Sequence, residues 1–369
     1  MKSPDFLPNR LHLRYRAGDP AGVFSAEWGN CPPNLILKEN YMTDHKEGRA
    51  TARAHANIAI AKYWGKRDVE LNLPFFDSIS FNVDGLYTET TAVWNNEDPR
   101  DALSINGWDV PSQNLGRIQK ILDVIRVRAG LEGKRCVLTS TNNFPHSTGL
   151  ASSASGAAAA ALAASAAAGL SLSENELASI ARLGSGSAAR SIASGWVRAH
   201  AGTAPDGSDF KASSIFPANH WNLRVFIIQV DARPKRVSSS EGMLRSQKSP
   251  FWQAYLETAR QHADLAQNAL MHKDFKLLKE VVHASTTMMH AVASTANPPI
   301  FYITPKSLEV IRHFERQSQA IPVCITLDAG ANVVLICDEV VYPFVKNDII
   351  EMGLPYIQTK VGGGATLLS

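Results

Sequence analysis

The chain changes character along its length. From about residue 55 short apolar runs alternate with polar positions. "HANIAIAKYW" and "SISFNVDGLYTETTAVW" carry the period-two pattern of strands in a half-exposed sheet. Residues 114–129 repeat with helical spacing, and "CVLTSTNNFP" predicts a strand running into a proline-stopped loop. The stretch Asn142–Leu170, "NNFPHSTGLASSASGAAAAALAASAAAGL", predicts a glycine- and serine-rich loop followed by an alanine helix ended by Gly169. "SENELASIARLG" predicts a short helix with Ser173 as cap and Glu176 three residues on, a capping box. In the second half, "LRVFIIQVDA" reads as a buried strand and residues 249–271, 274–292 and 305–318 as helices. "VCITLDAG" and "NVVLICDE" read as a hairpin-like pair around Gly330-Ala331-Asn332. No internal repeat appears, and the alanine run is the one low-complexity stretch. The sum predicts an α+β protein of two lobes, residues 51–220 and 221–369. Residues 1–50 lack sustained periodicity and read as a poorly ordered, dispensable extension. Organised sequence is expected to begin just after Met42, which marks that residue as a possible native start.

Composition narrows this picture slightly. With 37 basic and 34 acidic residues, the near-balanced charge argues against a nucleic-acid scaffold but allows a locally basic pocket for an anion. Cys31, Cys136, Cys324 and Cys337 stand far apart, without metal-type spacing, and read as buried or free thiols of a reducing cytoplasm. The alanine run is too serine-laced for a membrane span, and the N-terminus lacks the apolar core of a signal peptide.

Five stretches carry candidate chemistry. The loop "PHSTGLASSASG" before a helix presents amides and hydroxyls toward the helix's positive end, which suits phosphate; a tightly packed helix with a serine-rich cap reads equally from the loop alone. "NIAIAKYWGKRD" places Lys62, Lys66 and Arg67 beside Tyr63 and Trp64 after an apolar strand. This is either a polyanion site with an aromatic wall or a solvated strand end. In "RLGSGSAARSIASGW", Ser185, Gly186, Ser187 and Arg190 suit an anion, or a turn between helices with a surface arginine. "ARPKRVSSSEGM" sets Lys235 and Arg236 before three serines and reads alone as a basic loop. Asp328 in "ITLDAGANVV" is charged at the end of an apolar strand, where it caps the turn or faces a site. His283 and His290, seven apart on a predicted helix, read as structural or surface residues. Trp108, Trp196, Trp221 and Trp252 read as packing, and no cluster suggests a structural metal.

Taken together, these motifs resemble known ones. "PHSTGLASSASG" resembles the nucleotide-phosphate loop of the GHMP kinase superfamily. "NIAIAKYWGK" is similar to the signature of mevalonate diphosphate decarboxylases, and the five segments follow that family's order across about residues 54–364. The resemblance implies a GHMP kinase-like fold, with an N-terminal lobe like domain 2 of ribosomal protein S5, a ferredoxin-like C-terminal lobe and a deep cleft. It implies ATP-dependent decarboxylation of mevalonate 5-diphosphate in a cytoplasmic homodimer, with neither a nucleic-acid nor a membrane partner. Asp328, Lys62 and Arg190 would be catalytic, the arginine at the substrate carboxylate. Tyr63, Trp64, Gly65, Lys66, Ser185, Gly186, Ser187, Ala188, Ala189, Ser239 and Ser240 would bind substrate. Gly149, Leu150, Ala151, Ser152, Ser153, Ala154, Ser155 and Gly156 would hold the ATP phosphates, with Mg²⁺ arriving on the nucleotide near Ser153. There are departures: His146 in the loop, Ala331 in place of proline, and "LPFFDSISF" in place of an Asn/Ser-rich run. The last leaves a phosphomevalonate decarboxylase open, and a mevalonate 3-kinase or a non-catalytic nucleotide binder are the other readings.

Overall fold

The computed structural model describes residues 48–96, 98–144, 152–231, 233, 235–317 and 321–369. The expectations for residues 1–47 of the N-terminal extension, for Cys31 and His146 and for Gly149, Leu150 and Ala151 lie outside these residues, while Arg49 and Ala50, read as the end of that extension, already belong to the first strand. The first part of the chain runs β1 (Arg49–Ala61), β2 (Lys66–Asp68), β3 (Leu73–Pro74), β4 (Ser78–Asn95), β5 (Ala102–Ile105) and β6 (Trp108–Asp109). It continues α1 (Gly116–Arg128), β7 (Arg135–Asn142), α2 (Ser152–Ala167), α3 (Glu174–Gly184), β8 (Trp196–His200) and β9 (Lys211–Phe216). The second part runs β10 (Leu223–Ile228), α4 (Ser239–Ser246), α5 (Trp252–His272), α6 (Phe275–Ser294) and α7 (Pro305–Gln317). It ends β11 (Val323–Thr326), β12 (Val333–Asp338), α8 (Tyr342–Glu351), β13 (Tyr356–Lys360) and β14 (Thr366–Leu368). The predicted helices and the main strands all form. The capping box of α3 is complete, with Ser173 and Glu176 bonded reciprocally.

Two sheets organise the lobes. The first has the order β14-β1-β4-β7-β5-β6, with β8 and β9 branching from β4; the second is the antiparallel set β11-β12-β10-β13. β4 shows why its sequence reads as it does. Its outer half alternates buried and part-exposed positions, while Ser78–Val83 is buried on both faces because that half lies between the lobes. The alanine helix α2 packs on β1 and β4 and is covered on its other side by α1 and α3. Nine of its alanines are buried, and their short side chains let three layers approach closely. The Trp94 indole bridges two layers by donating to the Ala164 carbonyl at 2.9 Å.

One boundary differs from the sequence reading. The last strand, assigned to the second lobe, pairs antiparallel with β1 through Thr51↔Leu368 to Arg53↔Thr366. Without it β1 would present a bare edge of unpaired amides and carbonyls, so the C-terminus returns to the first sheet. A further core joins the lobes, with Ile58, Ile60, Phe81 and Trp196 meeting Val225, Ile227 and the inner faces of α5 and α6. Cys136, Cys324 and Cys337 are buried and unpaired, and burial pushes all three thiols up. Among the described residues, no helix is long and apolar enough to cross a membrane.

Candidate active site

The site forms where the ends of the two sheets meet. Lys62 follows β1 directly, and its own amide donates to the Ser285 hydroxyl on α6 at 2.9 Å. That bond ties the strand end to the second lobe. The side chain is 3% exposed, and its ammonium reaches Asp328 Oδ1 at 2.6 Å and Thr326 Oγ1 at 2.7 Å. Thr326 closes β11 and Asp328 begins the turn to β12, so the hairpin delivers both to the lysine. Burial pulls the Lys62 pKa down more strongly than the Asp328 charge raises it. A buried ammonium of this kind is sustained by its carboxylate partner and by its hydrogen bonds.

Arg190 faces the same carboxylate from the first lobe. It lies on a short 3₁₀ turn, Ala188–Ser191, and is 2% exposed. Its Nε donates to Ser80 Oγ at 3.0 Å, Nη1 to Ser78 Oγ at 2.9 Å and Nη2 to Asn57 Oδ1 at 3.4 Å. Three neutral acceptors fix the guanidinium without cancelling its charge, and burial draws its pKa down to about 10. Here the departing segment "LPFFDSISF" finds its use. Phe75 packs edge-on against Trp252 and Phe76 against Tyr255, while Asp77 pairs with Arg198 and His200. Its serines 78 and 80 hold Arg190.

The remaining predicted residues divide into contacts and supports. Lys66 Nζ donates to Ser240 Oγ at 2.9 Å, and Lys235 Nζ donates to Ser239 Oγ at 2.7 Å and to the Ala329 carbonyl at 3.2 Å. The first two serines of α4 therefore meet lysines, Lys235 of these beside the Asp328 turn. Ser185 and Ser187 lie 3.1 Å apart, and Ser153 at the start of α2 lies 3.5 Å from Ser185. This row joins the nucleotide-loop helix to the predicted substrate side. Tyr63 lies under the Arg190 guanidinium, 5.8 Å from ring centroid to Cζ, and its hydroxyl donates to the Asn72 carbonyl.

Other assigned residues are held inside the fold. Trp64 is buried among aromatic residues, and its indole donates to Ser246 Oγ at 2.9 Å. The methyl groups of Ala188 and Ala189 are buried in the first core, and the Ala188 amide donates to the Ser185 carbonyl. Ala154 and Ser155 are likewise buried, with Ser155 bonded to Thr88 inside the fold. Ser152 is half-buried and Gly156 lies further along the helix. Arg67 is directed at the carbonyls of Pro74 and Ala201, so it holds a loop rather than a ligand.

Two glycines are needed for close approach. Gly65 has φ +103°, and a Cβ there would lie 2.4 Å from the Trp252 ring. At Gly186 a Cβ would come within 2.2 Å of the Tyr63 hydroxyl. Gly186→Ala is therefore expected to displace Tyr63 or the Ser185–Ser187 turn. The expected cost is about 1–3 kcal/mol of stability, read from the denaturation midpoint, together with weaker anion binding.

Lys66 carries a charge that depends on pH near neutrality. Burial first, then the charges of Arg117 and Lys120, brings its pKa down to about 7. Neither α1 residue was singled out from sequence, because both read as the polar face of an ordinary helix. Below pH 7 Lys66 is charged and suited to phosphate; above it, the ligand-free protein loses that charge. The KM for a phosphorylated substrate is thus expected to rise about tenfold per pH unit above 7, and Lys66→Arg to flatten the rise. The stability sign is the reverse. The unfolded lysine keeps its proton to about pH 10.4, so between pH 7 and 10 the unfolded chain binds more protons than the native one. The stability of the ligand-free protein then increases with pH, and calorimetry of wild type against Lys66→Met would show it.

Among the described residues no group of three or more metal-ligating side chains forms. This donor set fits Mg²⁺ carried on a nucleotide, since that ion keeps waters and takes few protein ligands beside phosphate oxygens.

Comparison with known proteins agrees with this geometry. Residues 54–212 match the diphosphomevalonate decarboxylase-like N-terminal domain, and residues 225–353 match the mevalonate 5-diphosphate decarboxylase C-terminal domain. The diphosphomevalonate decarboxylase of Candida albicans is 38% identical over 306 residues, covering 79% of this chain and 84% of its own. The mevalonate diphosphate decarboxylase structure from Staphylococcus aureus superposes with a TM-score of 0.81 at 32% identity, covering 87% of this chain and 98% of that one. A structure of MDDEF in complex with MVAPP, AMPPCP and magnesium gives a TM-score of 0.80 at 34% identity, covering 87% and 99%. With both halves matched and the motif residues gathered at one site, the chain belongs to the diphosphomevalonate decarboxylase family.

Proposed function

We propose that this protein decarboxylates (R)-5-diphosphomevalonate to isopentenyl diphosphate, consuming ATP and releasing ADP, phosphate and carbon dioxide. The observation that carries the reading is the buried Lys62–Asp328 pair beside the serine-held Arg190. A tertiary hydroxyl is a poor leaving group and is first phosphorylated; ATP supplies the phosphoryl group. Asp328 orients that hydroxyl and takes its proton. Lys62 balances the charge that builds on the transferred group, as phosphoryl transfer depends mainly on positioning and charge stabilisation. Arg190 holds the carboxylate until phosphate departure develops positive charge at the neighbouring carbon and carbon dioxide leaves. Lys66 and Ser240 take the far phosphates, Ser185 and Ser187 lie between substrate and nucleotide, and Tyr63 supports the Arg190 side. That MDDEF holds MVAPP with AMPPCP and magnesium in one complex supports the pairing of substrate and nucleotide.

The finer expectations belong to the same proposal. Three buried, unpaired thiols support a reducing, cytoplasmic setting. The exposed Val340, Phe344 and Ile350 on and beside α8 support a homodimer, to be read by light scattering. The deciding experiment measures ADP and carbon dioxide from purified protein with Mg-ATP, run in parallel on the diphosphate and the monophosphate of mevalonate. Equal ADP and carbon dioxide with the diphosphate alone is expected. The same yield with the monophosphate alone would reassign the substrate, and ADP without carbon dioxide would make the protein a kinase.

A further inference from the structure

Behind the Lys62–Asp328 pair, on the side away from the proposed substrate, hydrogen bonding continues into the second lobe. Lys62 Nζ donates to Thr326 Oγ1 at 2.7 Å, and Thr326 Oγ1 lies 2.9 Å from Thr286 Oγ1 on α6; both hydroxyls are buried. Thr286 lines a cavity of about 50 Å³ between α6, α7 and β11. The inner end of the cavity includes His290, 8% exposed, whose Nε2 is buried without a partner. Its outer end includes His283, Thr287 and Glu315, all exposed. A cavity needs roughly 10–15 Å³ to hold a water that has polar partners, and a buried nitrogen without a partner calls for one.

We propose that the cavity holds water and that Thr326, Thr286 and this water form a proton exit for Asp328. The inference rests on the decarboxylase reading. Phosphorylation of the tertiary hydroxyl leaves its proton on Asp328, and the positive charge that follows must be kept from water, which would capture it as the alcohol. The substrate side is then closed by nucleotide and substrate, whereas the back of the pair is already hydrogen-bonded outward. In the exit step, the Lys62 ammonium gives one N–H proton to Thr326 Oγ1 and takes the proton from the Asp328 carboxylic acid. Thr326 passes its hydroxyl proton to Thr286, and Thr286 passes its own to the cavity water and so to bulk solvent. Only N–H and O–H bonds exchange. Each side chain ends with the proton count it began with, and Asp328 is again a carboxylate. His290 anchors the water without trapping the proton: burial, with the Lys62 charge second, holds its pKa down to about 4. His290 is thereby a positioning residue, although its sequence context reads as merely structural.

Thr286→Val tests the exit, since it removes one hydroxyl and leaves the Lys62–Thr326 bond in place. Single turnovers with Mg-ATP and mevalonate 5-diphosphate, followed by a pH indicator and by ADP, are expected to show proton release slowed roughly a hundredfold. The solvent deuterium isotope effect should rise, KM should not change, imidazole should partly restore the rate, and Thr286→Ser should behave as wild type. Ile311→Phe, which fills the cavity from α7, should slow the same step and covers the case in which the valine variant folds poorly. Wild-type proton release and isotope effect in a folded valine variant would overturn the exit. So would a slow variant that neither imidazole nor serine rescues, because that marks a structural defect. Wild-type protein releasing neither ADP nor carbon dioxide would fail the decarboxylase reading itself, before any variant is compared.

Discussion

Asp328→Asn is expected to lower kcat by about 10³- to 10⁴-fold while nucleotide binding survives. Asparagine has the size of aspartate and still offers an oxygen to Lys62, so the β11–β12 hairpin should keep its shape. It accepts no proton, however, and a positioned general base contributes roughly 10²- to 10⁴-fold. It also leaves the Lys62 ammonium, 3% exposed, without its counter-charge. A buried pair that loses one partner leaves an uncompensated charge, so Lys62 becomes neutral more readily and the transferring phosphoryl group loses a cation. Both effects act on the chemical step, which places the expected loss at the upper end. Ser153 lies on α2 in the other lobe, where its hydroxyl meets Ser185, so a fluorescent ATP analogue should bind almost as before. Near wild-type turnover in a folded variant would sink the assignment of the base.

Arg190→Lys is expected to be nearly as damaging, although it keeps the charge. Arg190 spends three of its nitrogens on Ser80, Ser78 and Asn57, and those bonds aim what remains of the fork. Lysine offers a single ammonium on a flexible stem and cannot satisfy that cradle and a carboxylate in the same geometry. Truncating one partner of a buried, hydrogen-bonded charge pair costs about 2–5 kcal/mol. That corresponds to roughly 30- to 5,000-fold in kcat/KM at 1.36 kcal/mol per power of ten. Carbon dioxide and ADP should fall together, because a carboxylate that is not held also misplaces the neighbouring hydroxyl. The check is the ratio of the two products and the substrate KM. Carbon dioxide release at the wild-type rate in the lysine variant would remove Arg190 from the carboxylate. Ser78→Ala combined with Ser80→Ala should reproduce part of the defect, since the cradle is then lost and the arginine kept.

Much of this site is readable from local sequence. The glycine-serine loop before an alanine run, the KYWGK string, the serine pair before Arg190 and the charged end of an apolar strand are each legible within about a dozen residues. So are the helices, because their period, caps and stops are local signals. The fold brings Lys62 onto Asp328 and Lys66 onto Ser240, with Arg190 within electrostatic reach of Asp328. The supporting residues were not legible. Asn57, Ser78, Ser80, Ser285, Thr286 and Thr326 are ordinary polar residues in apolar surroundings, and nothing local marks them as partners of a charge.

Tertiary structure alone decided which charges meet and which are used up. Lys62 and Asp328 are 266 residues apart, and Arg190 and Ser78 are 112 apart. Such pairs depend on how two sheets and their covering helices pack, which no short window of sequence contains. The same packing sends Arg67 to backbone carbonyls and buries Trp64, Ala188 and Ala189, although all four sit inside motifs that resemble ligand sites. It also returns β14 to β1, because an open strand edge is costly wherever in the chain its cover comes from. Local sequence states which side chains can do chemistry; the low dielectric and fixed distances that make them do it arise only when both lobes close around them.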